Sequence, residues 1–331
     1  MLRVTTISNA ASAESYYSQA DYYLDEEAVP ARWHGQAAVL LGLQGDVAFE
    51  HFASLCRNQH PFTGQRVTEA MRANRRVGFD MTFSVSKSLS VMHSLVGDDR
   101  ILRAFRESVH ETMQLVEADA AVRVRKDGKN EDRQTNNLVY ADFVHQLSRP
   151  SAESSTPSPH LHAHVVVLNQ SFDPVEGVWK AIQAATLKTN APYYQAAFRA
   201  SLAQKIQDLG YRITVSSNDF EITGVSPNVI RAFSPRTEEI NRLAKQLGIT
   251  RPETKAKLGT TSRKAKNWHL NWDQLKNDWL ARITHADIQT LYRTYETAIA
   301  SPSRYTLNPN KPFHFALEHS LERQSVVTER N

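Results

Sequence analysis

Apolar and polar residues alternate over Leu138–Ser148, a two-residue period that marks a β-strand with one face buried, and His162-Ala163-His164 opens a second strand-forming run, Val165 to Asn169. The same criterion predicts strands at Leu2–Ile7, Val77–Phe83, Tyr211–Val215 and Phe220–Thr223. Apolar positions at helical spacing predict helices over Asp46–Asn58, Lys87–Val96, Asp99–Val116 and Asn190–Leu209, the last ended by Gly210. Residues 226–299 read as helical throughout. Arg125–Asn130, with Asp127-Gly128 at its centre, predicts a hairpin turn. Residues 31–76 are mixed, with Gly35, Gly42 and Gly45, and the Ser/Pro-rich residues 150–159 read as a polar loop with no means of burying itself. Strands and helices mix without βαβ regularity. The expected fold is therefore α+β: a central, mainly antiparallel β-sheet with flanking helices, plus a helical C-terminal lobe.

Composition narrows this picture only in places. With 331 residues, 41% of them hydrophobic, the chain can bury one large core or two modest ones. The net charge is only +4, but basic residues cluster at Arg72, Arg75 and Arg76, at Arg123, Arg125, Lys126 and Lys129, and at Lys255, Lys257, Arg263, Lys264 and Lys266. Such clusters suit the phosphates of a nucleic acid. The single cysteine, Cys56, excludes an internal disulfide and fits a reducing cytoplasm. The sequence holds no apolar run of membrane-spanning length, no signal-peptide pattern and no glycine-rich phosphate loop. A soluble cytoplasmic protein without a motor ATPase in this chain is the expectation.

The chemistry concentrates in two places. His162 and His164 are i and i+2 on a predicted strand, so both imidazoles share a face and can share a metal ion, with His145 on the neighbouring stretch as a third ligand. Near the start, Tyr16, Tyr17, Tyr22 and Tyr23 are four of only 11 tyrosines. They alternate with Ser, Gln and Asp rather than forming an apolar stripe, in a segment that Ser12 could cap as a helix.

Together these features resemble the HUH endonucleases, and within them conjugative relaxases of the MobF type, the TrwC/TraI group. The likeness runs through five motifs in order: the tyrosine doublets, Gly78 to Ser88, His145 with Ser148-Arg149, Leu161 to Asn169, and Phe233 to Thr237. It implies a site-specific relaxase that nicks a plasmid transfer origin during conjugation. A tyrosine would form a 5′-phosphotyrosyl intermediate and the strand would later be rejoined. It implies a divalent metal on His145, His162 and His164, Mg²⁺ or Mn²⁺, with Zn²⁺ and Ni²⁺ open as alternatives. Tyr16 would attack first. A second phenol would act later: motif order favours Tyr22, whereas seven-residue spacing puts Tyr23 on the face of Tyr16.

Asp80 would orient a ligand histidine or accept the nucleophile's proton, the orienting role being favoured. Lys87 would contact phosphate. Arg72, Arg75 and Arg76 would read the duplex arm, and Arg263, Lys264 and Lys266 would close over the single strand. The implied division is a catalytic core over 1–235, a helical DNA-clamping lobe over 236–300, and a tail or the start of a helicase portion over 301–331. Origin DNA, relaxosome accessory proteins, a coupling protein and a helicase in cis or trans are the implied partners, in a bacterial cytoplasm without membrane insertion. Two departures from the family pattern stand out: the linker between His145 and His162 is longer, and His160 replaces a usual glutamine and is expected not to be a ligand. The competing classes are a rolling-circle replication initiator, whose tyrosine usually follows the histidine strand, a DNA-binding module without catalysis, and a metallohydrolase with no covalent step.

Overall fold

A computed structural model describes residues 1–11, 13–14, 29–69, 75–126, 128–148, 150, 154, 156–216, 219–250, 254, 258 and 271–300. Its frame is a five-stranded sheet built from β1 (Leu2–Ile7), β2 (Arg32–His34), β3 (Gly78–Ser84), β6 (Tyr140–Leu147) and β7 (Pro159–Leu168). The spatial order is β1-β3-β7-β6-β2 and every neighbouring pair is antiparallel. The two expected strands that carry the histidines thus become the adjacent strands β6 and β7. Gly78 lets β3 approach β7 closely, since a Cβ there would stand 2.3 Å from the Val167 carbonyl oxygen.

Both faces of the sheet are covered. On one, Met81, Phe83, Ala163, Val165 and Val167 pack with Phe105 and Phe198 of the helices Asp99–Ala118 and Ala191–Asp208. On the other, Ala141, Phe143 and Val166 pack with Trp33, Phe52 and Leu55 beneath the helices Gln36–Leu40 and Phe49–Cys56. Ala13 belongs to this second cluster, so the helical turn at 10–14 is seated on that face. Leu275, Trp279, Leu291 and Ala298, from the helices Trp272–Ala281 and His285–Ala300, join the first cluster. The C-terminal helices therefore share the main core.

Smaller hairpins complete the architecture: β4 (Ala121–Lys126) with β5 (Lys129–Gln134), β8 (Ser171–Asp173) with β9 (Val178–Lys180), and β10 (Ile213–Val215) with β11 (Phe220–Ile222). The expected turn at 125–130 is the β4–β5 connection, with Gly128 at a φ of 75°.

Several expectations need correction. The helix expected over Asp46–Asn58 spans Phe49–Cys56, because Asp46 bridges to Arg32 and Asn58 turns out at a φ of 63°. The stretch Lys87–Val96 changes at Met92 from α-helix to a π-helical turn. Asn190–Leu209 is preceded by a separate helix, Ala184–Thr189, and itself spans Ala191–Asp208. The turn near Ser12 is already helical at Ala10, ahead of the expected cap. Within 226–299 the described helices are Pro227–Ala232, Pro235–Gln246, Trp272–Ala281 and His285–Ala300.

The polar loop is the clearest reversal. Pro157 and Ser158 are buried, because Trp279 Nε1 donates to the Pro157 carbonyl (2.8 Å) and Arg282 donates to Ser158 Oγ (3.0 Å). Thr156 Oγ1 donates to Asp278 at 2.8 Å. The described end of this loop, Thr156 to Ser158, is held down through hydrogen bonds to a distant helix, and residues 151–153 and 155 lie outside the described residues.

Candidate metal centre and its cleft

Register alone gathers the histidines. His145 stands opposite His162 on β6 and β7, while His164 stands opposite Phe143 and, on β3, opposite Thr82. Directly opposed residues point to the same side, so His145, His162 and His164 share one face, the face on which Ala13 packs. Between His145 and Leu147 the pairing with β7 slips by one residue, a bulge that re-aims side chains next to the trio.

The three ring centroids form a triangle with sides of 5.1, 5.3 and 5.4 Å. The rings are thus gathered on one face within reach of one another, and three imidazoles are a donor set that suits a divalent cation. Among the described residues, however, no group of three or more His, Cys, Asp or Glu side chains is placed as it stands to hold a metal ion. The rings must turn for their nitrogens to meet on one cation.

Hydrogen bonds fix which nitrogen two of the rings, His164 and His162, present. His164 Nδ1 lies 2.8 and 3.0 Å from the two Asp80 oxygens, and Thr82 Oγ1 donates to the same carboxylate at 3.2 Å. His162 Nδ1 is 2.8 Å from the His160 carbonyl oxygen. With Nδ1 protonated in both rings, Nε2 carries the lone pair. Burial, then the neighbouring imidazoles, hold the His162 ring well below the usual histidine range and so keep it neutral. The Asp80 and His164 side chains are only 14% and 12% exposed, and His145 is buried.

His160 is closer to the centre than expected. β7 begins at Pro159, not at Leu161, and the His160 ring stacks on His162 with centroids 4.6 Å apart. Burial, then Lys87 and the N-terminal amine, push it down to about 3.

These rings border a cleft of about 550 Å³ whose far wall is Phe233 to Thr237, the fifth sequence motif. Lys87 lines it from the first turn of its helix, donating to the Pro159 carbonyl at 2.8 Å. Burial pushes the Lys87 amine down to about 8 against the opposing pull of Glu221, and burial likewise pushes the N-terminal amine down to about 6. Arg3 and Arg236 also line the cleft. Cations and imidazoles thus crowd a desolvated space, an arrangement that an incoming anion would relieve.

Asp80, His145, His162, His164 and Lys87 are thereby brought together. Arg75 and Arg76 are not, since neither lines the cleft. The Arg75 guanidinium donates to the Cys56 carbonyl at the end of the Phe49–Cys56 helix, and burial lowers its pKa. Cys56 itself is buried and its thiol is pushed up to about 12, chiefly by that burial. Tyr16, Tyr17, Tyr22, Tyr23, Arg72, Arg263, Lys264 and Lys266 lie outside the described residues. Sequence reasoning missed Arg3 and Glu221, whose strands come to the cleft only through tertiary pairing. Arg236 carried a signal in its motif and was not assigned a role.

Known proteins share this fold. The model of the TrwC relaxase family matches residues 10–286. The multifunctional conjugation protein TraI of Escherichia coli is 32% identical over 295 residues, which are 86% of this chain and 16% of TraI, so the chain spans about a sixth of that relative's length. The conjugative relaxase TrwC, in a copper-bound complex with oriT DNA, superposes with a TM-score of 0.76 at 30% identity, over 85% of this chain and 97% of that one. TrwC complexed with a 27-mer DNA comprising the recognition hairpin and the cleavage site gives 0.74 at 29% identity, with the same coverage.

Proposed function

The chain belongs to the TrwC relaxase family, and on that premise we propose that it cuts one DNA strand at a transfer origin by tyrosine transesterification and later reseals it. The observation that carries this reading is the imidazole trio on one face of the sheet, with Asp80 bonded to His164, in a cation-lined cleft.

His145, His162 and His164 would hold a divalent cation, Mg²⁺ or Mn²⁺ being the first candidates and Zn²⁺ or Ni²⁺ the alternatives. A His162 ring held neutral by burial, and tautomers set by hydrogen bonds at His162 and His164, suit that task. Such an ion polarises a phosphodiester and offsets its developing charge, an effect worth several kcal/mol. Asp80 holds the His164 ring, and its engagement with that nitrogen favours the orienting role over that of proton acceptor. Lys87, from a helix start, supplies a cation to the same phosphate.

Tyr16 is the proposed nucleophile. Its oxygen bonds to phosphorus, the O3′–phosphorus bond breaks, and the leaving oxygen takes a proton to become a free 3′ hydroxyl. The strand's 5′ phosphate is then an ester of the tyrosine. The bond exchange is close to balanced, so rejoining requires no nucleotide hydrolysis. Tyr17, Tyr22 and Tyr23 are the further phenols, with Tyr22 or Tyr23 serving a second transfer. Glu14, two residues before Tyr16, is paired with Arg57 next to Ala13 on the histidine face, which favours this nucleophile.

Origin DNA is the proposed substrate, with accessory proteins, a coupling protein and a helicase as partners in a bacterial cytoplasm. No described helix is long and apolar enough to cross a membrane. Arg72, Arg75 and Arg76 remain proposed contacts to a duplex arm, Arg263, Lys264 and Lys266 to the single strand, and residues 236–300 a DNA clamp. Incubation with an origin oligonucleotide and Mn²⁺ should yield a protein–DNA adduct that survives detergent. Tyr16→Phe or a chelator should abolish it; equal adduct without Tyr16 and without metal rejects the reading.

A further inference from the structure

The opposite face of the sheet carries a second polar recess, outside the chemistry proposed for the cleft. Asp142 stands opposite Arg32 on β2 and Val165 on β7, one residue out of phase with the histidine face. A recess of about 310 Å³ opens there, between the β2–β6 edge and the Asp99–Ala118 helix. Its charged lining is unbalanced in favour of cations, Arg32, Arg103 and Arg106 against Asp142 and Glu107, with His34 and His110 beside them.

Of the two carboxylates, Asp142 is already engaged. It is buried and accepts from the Arg32 amide (3.0 Å), from His34 Nε2 (3.2 Å) and from Arg106 (3.3 Å). Glu107 is 65% exposed, with Lys205 only at 3.9 Å, so water screens its charge. Arg32 reaches Asp46 only at 3.6 Å, with both groups more than half exposed, a pairing worth little in water. Arg103 makes no hydrogen bond or ion pair with any described residue. Beside these groups the His34 ring lies on Tyr140, with centroids 5.5 Å apart and an interplanar angle of 20°, and its centroid is 5.6 Å from that of His110.

Guanidinium groups present planar pairs of donors that match phosphate oxygens, and a flat aromatic wall suits a base or sugar. The volume lies at the low end for ligand pockets, the scale of one nucleotide unit rather than a duplex. We propose that this recess binds a nucleotide phosphate, with Arg103 as the guanidinium committed to the ligand. A free nucleotide and one unit of a DNA strand share that chemistry.

Arg103 is exposed and unpaired among the described residues, so Arg103→Gln should leave the fold intact. The test follows the imidazole resonances of His34 and His110, assigned through His34→Gln and His110→Gln, during titration with ADP and, separately, with a short single-stranded oligonucleotide. A saturating shift is expected with ADP, weakened about tenfold or more by Arg103→Gln and unchanged by His164→Ala on the other face. If the oligonucleotide shifts the same resonances, and Arg103→Gln lowers its salt slope by about one, the natural source is DNA. A response to ADP alone identifies a free nucleotide, and both results uphold the site. Resonances indifferent to both probes overturn it, as does an Arg103→Gln protein that binds both like wild type, or ADP binding abolished by His164→Ala instead.

Discussion

At the scale of single residues, the account turns on how neighbours set the chemical state of a side chain. Asp80 illustrates this: its two oxygens lie 2.8 and 3.0 Å from His164 Nδ1, fixing the tautomer that leaves Nε2 as the donor. Asp80→Asn should lower metal affinity and the nicking rate by about 10- to 100-fold while leaving the fold intact. Metal titration with thermal melting in parallel checks this; unchanged affinity would show that the carboxylate orients nothing. Lys87 offers a pH test. Burial, partly opposed by Glu221, leaves its amine titrating at about 8, so its positive charge is present below that pH and lost above it. Affinity for a single-stranded oligonucleotide should therefore fall as pH rises from 7 to 9, and Lys87→Met should flatten that fall. An equally steep profile in Lys87→Met would remove Lys87 from the phosphate contacts. The H-x-H spacing made His162 and His164 legible from sequence, because period-two geometry is local. His160 was not, since its place depended on a strand beginning at Pro159 and on a bulge opposite β6.

At the scale of elements, the strands were read better than their surroundings. β1, β3, β6 and β7 fell within two or three residues of expectation because β1 and β3 alternate along much of their length while β6 and β7 are runs of strand-forming residues buried on both faces. β2, three residues at the sheet edge, carries too short a pattern to be seen, although Trp33 anchors it. The loop 150–159 misled for a different reason. Its composition is polar, and the anchoring of its described end, Thr156 to Ser158, comes from Trp279, Arg282 and Asp278 more than a hundred residues away. Trp279 is fully buried, stacks edge-on against Trp272 and holds Pro157. Trp279→Ala should cost about 3–5 kcal/mol of stability and free the segment that leads into β7. Urea unfolding measures the first effect and proteolysis near residue 156 the second. A variant as stable as wild type would mean that the C-terminal helices do not hold the histidine strand.

At the scale of the whole molecule, two faces of one sheet serve different ends. One carries the histidines and receives the N-terminal turn; the other carries the larger core, shared with the C-terminal helices. The α+β class with an antiparallel sheet was legible because the element order excludes βαβ units, whereas strand order was not, being fixed by pairings such as β1 with β3 across more than 70 residues. The cleft's cations come from three separated parts of the chain, at Arg3, Lys87 and Arg236, and no local pattern announces such convergence. Charge clusters along the sequence pointed to nucleic acid in general but did not identify these groups. The central claim is that a phenol near the N-terminus attacks a phosphate held before the imidazole trio. Mass spectrometry of peptides recovered after reaction with an origin oligonucleotide tests it most directly. A nucleotide joined through its 5′ phosphate to Tyr16 is the expected product; free 5′ phosphate ends with no protein-linked DNA, or a linkage on a peptide that contains none of Tyr16, Tyr17, Tyr22 and Tyr23, would contradict it.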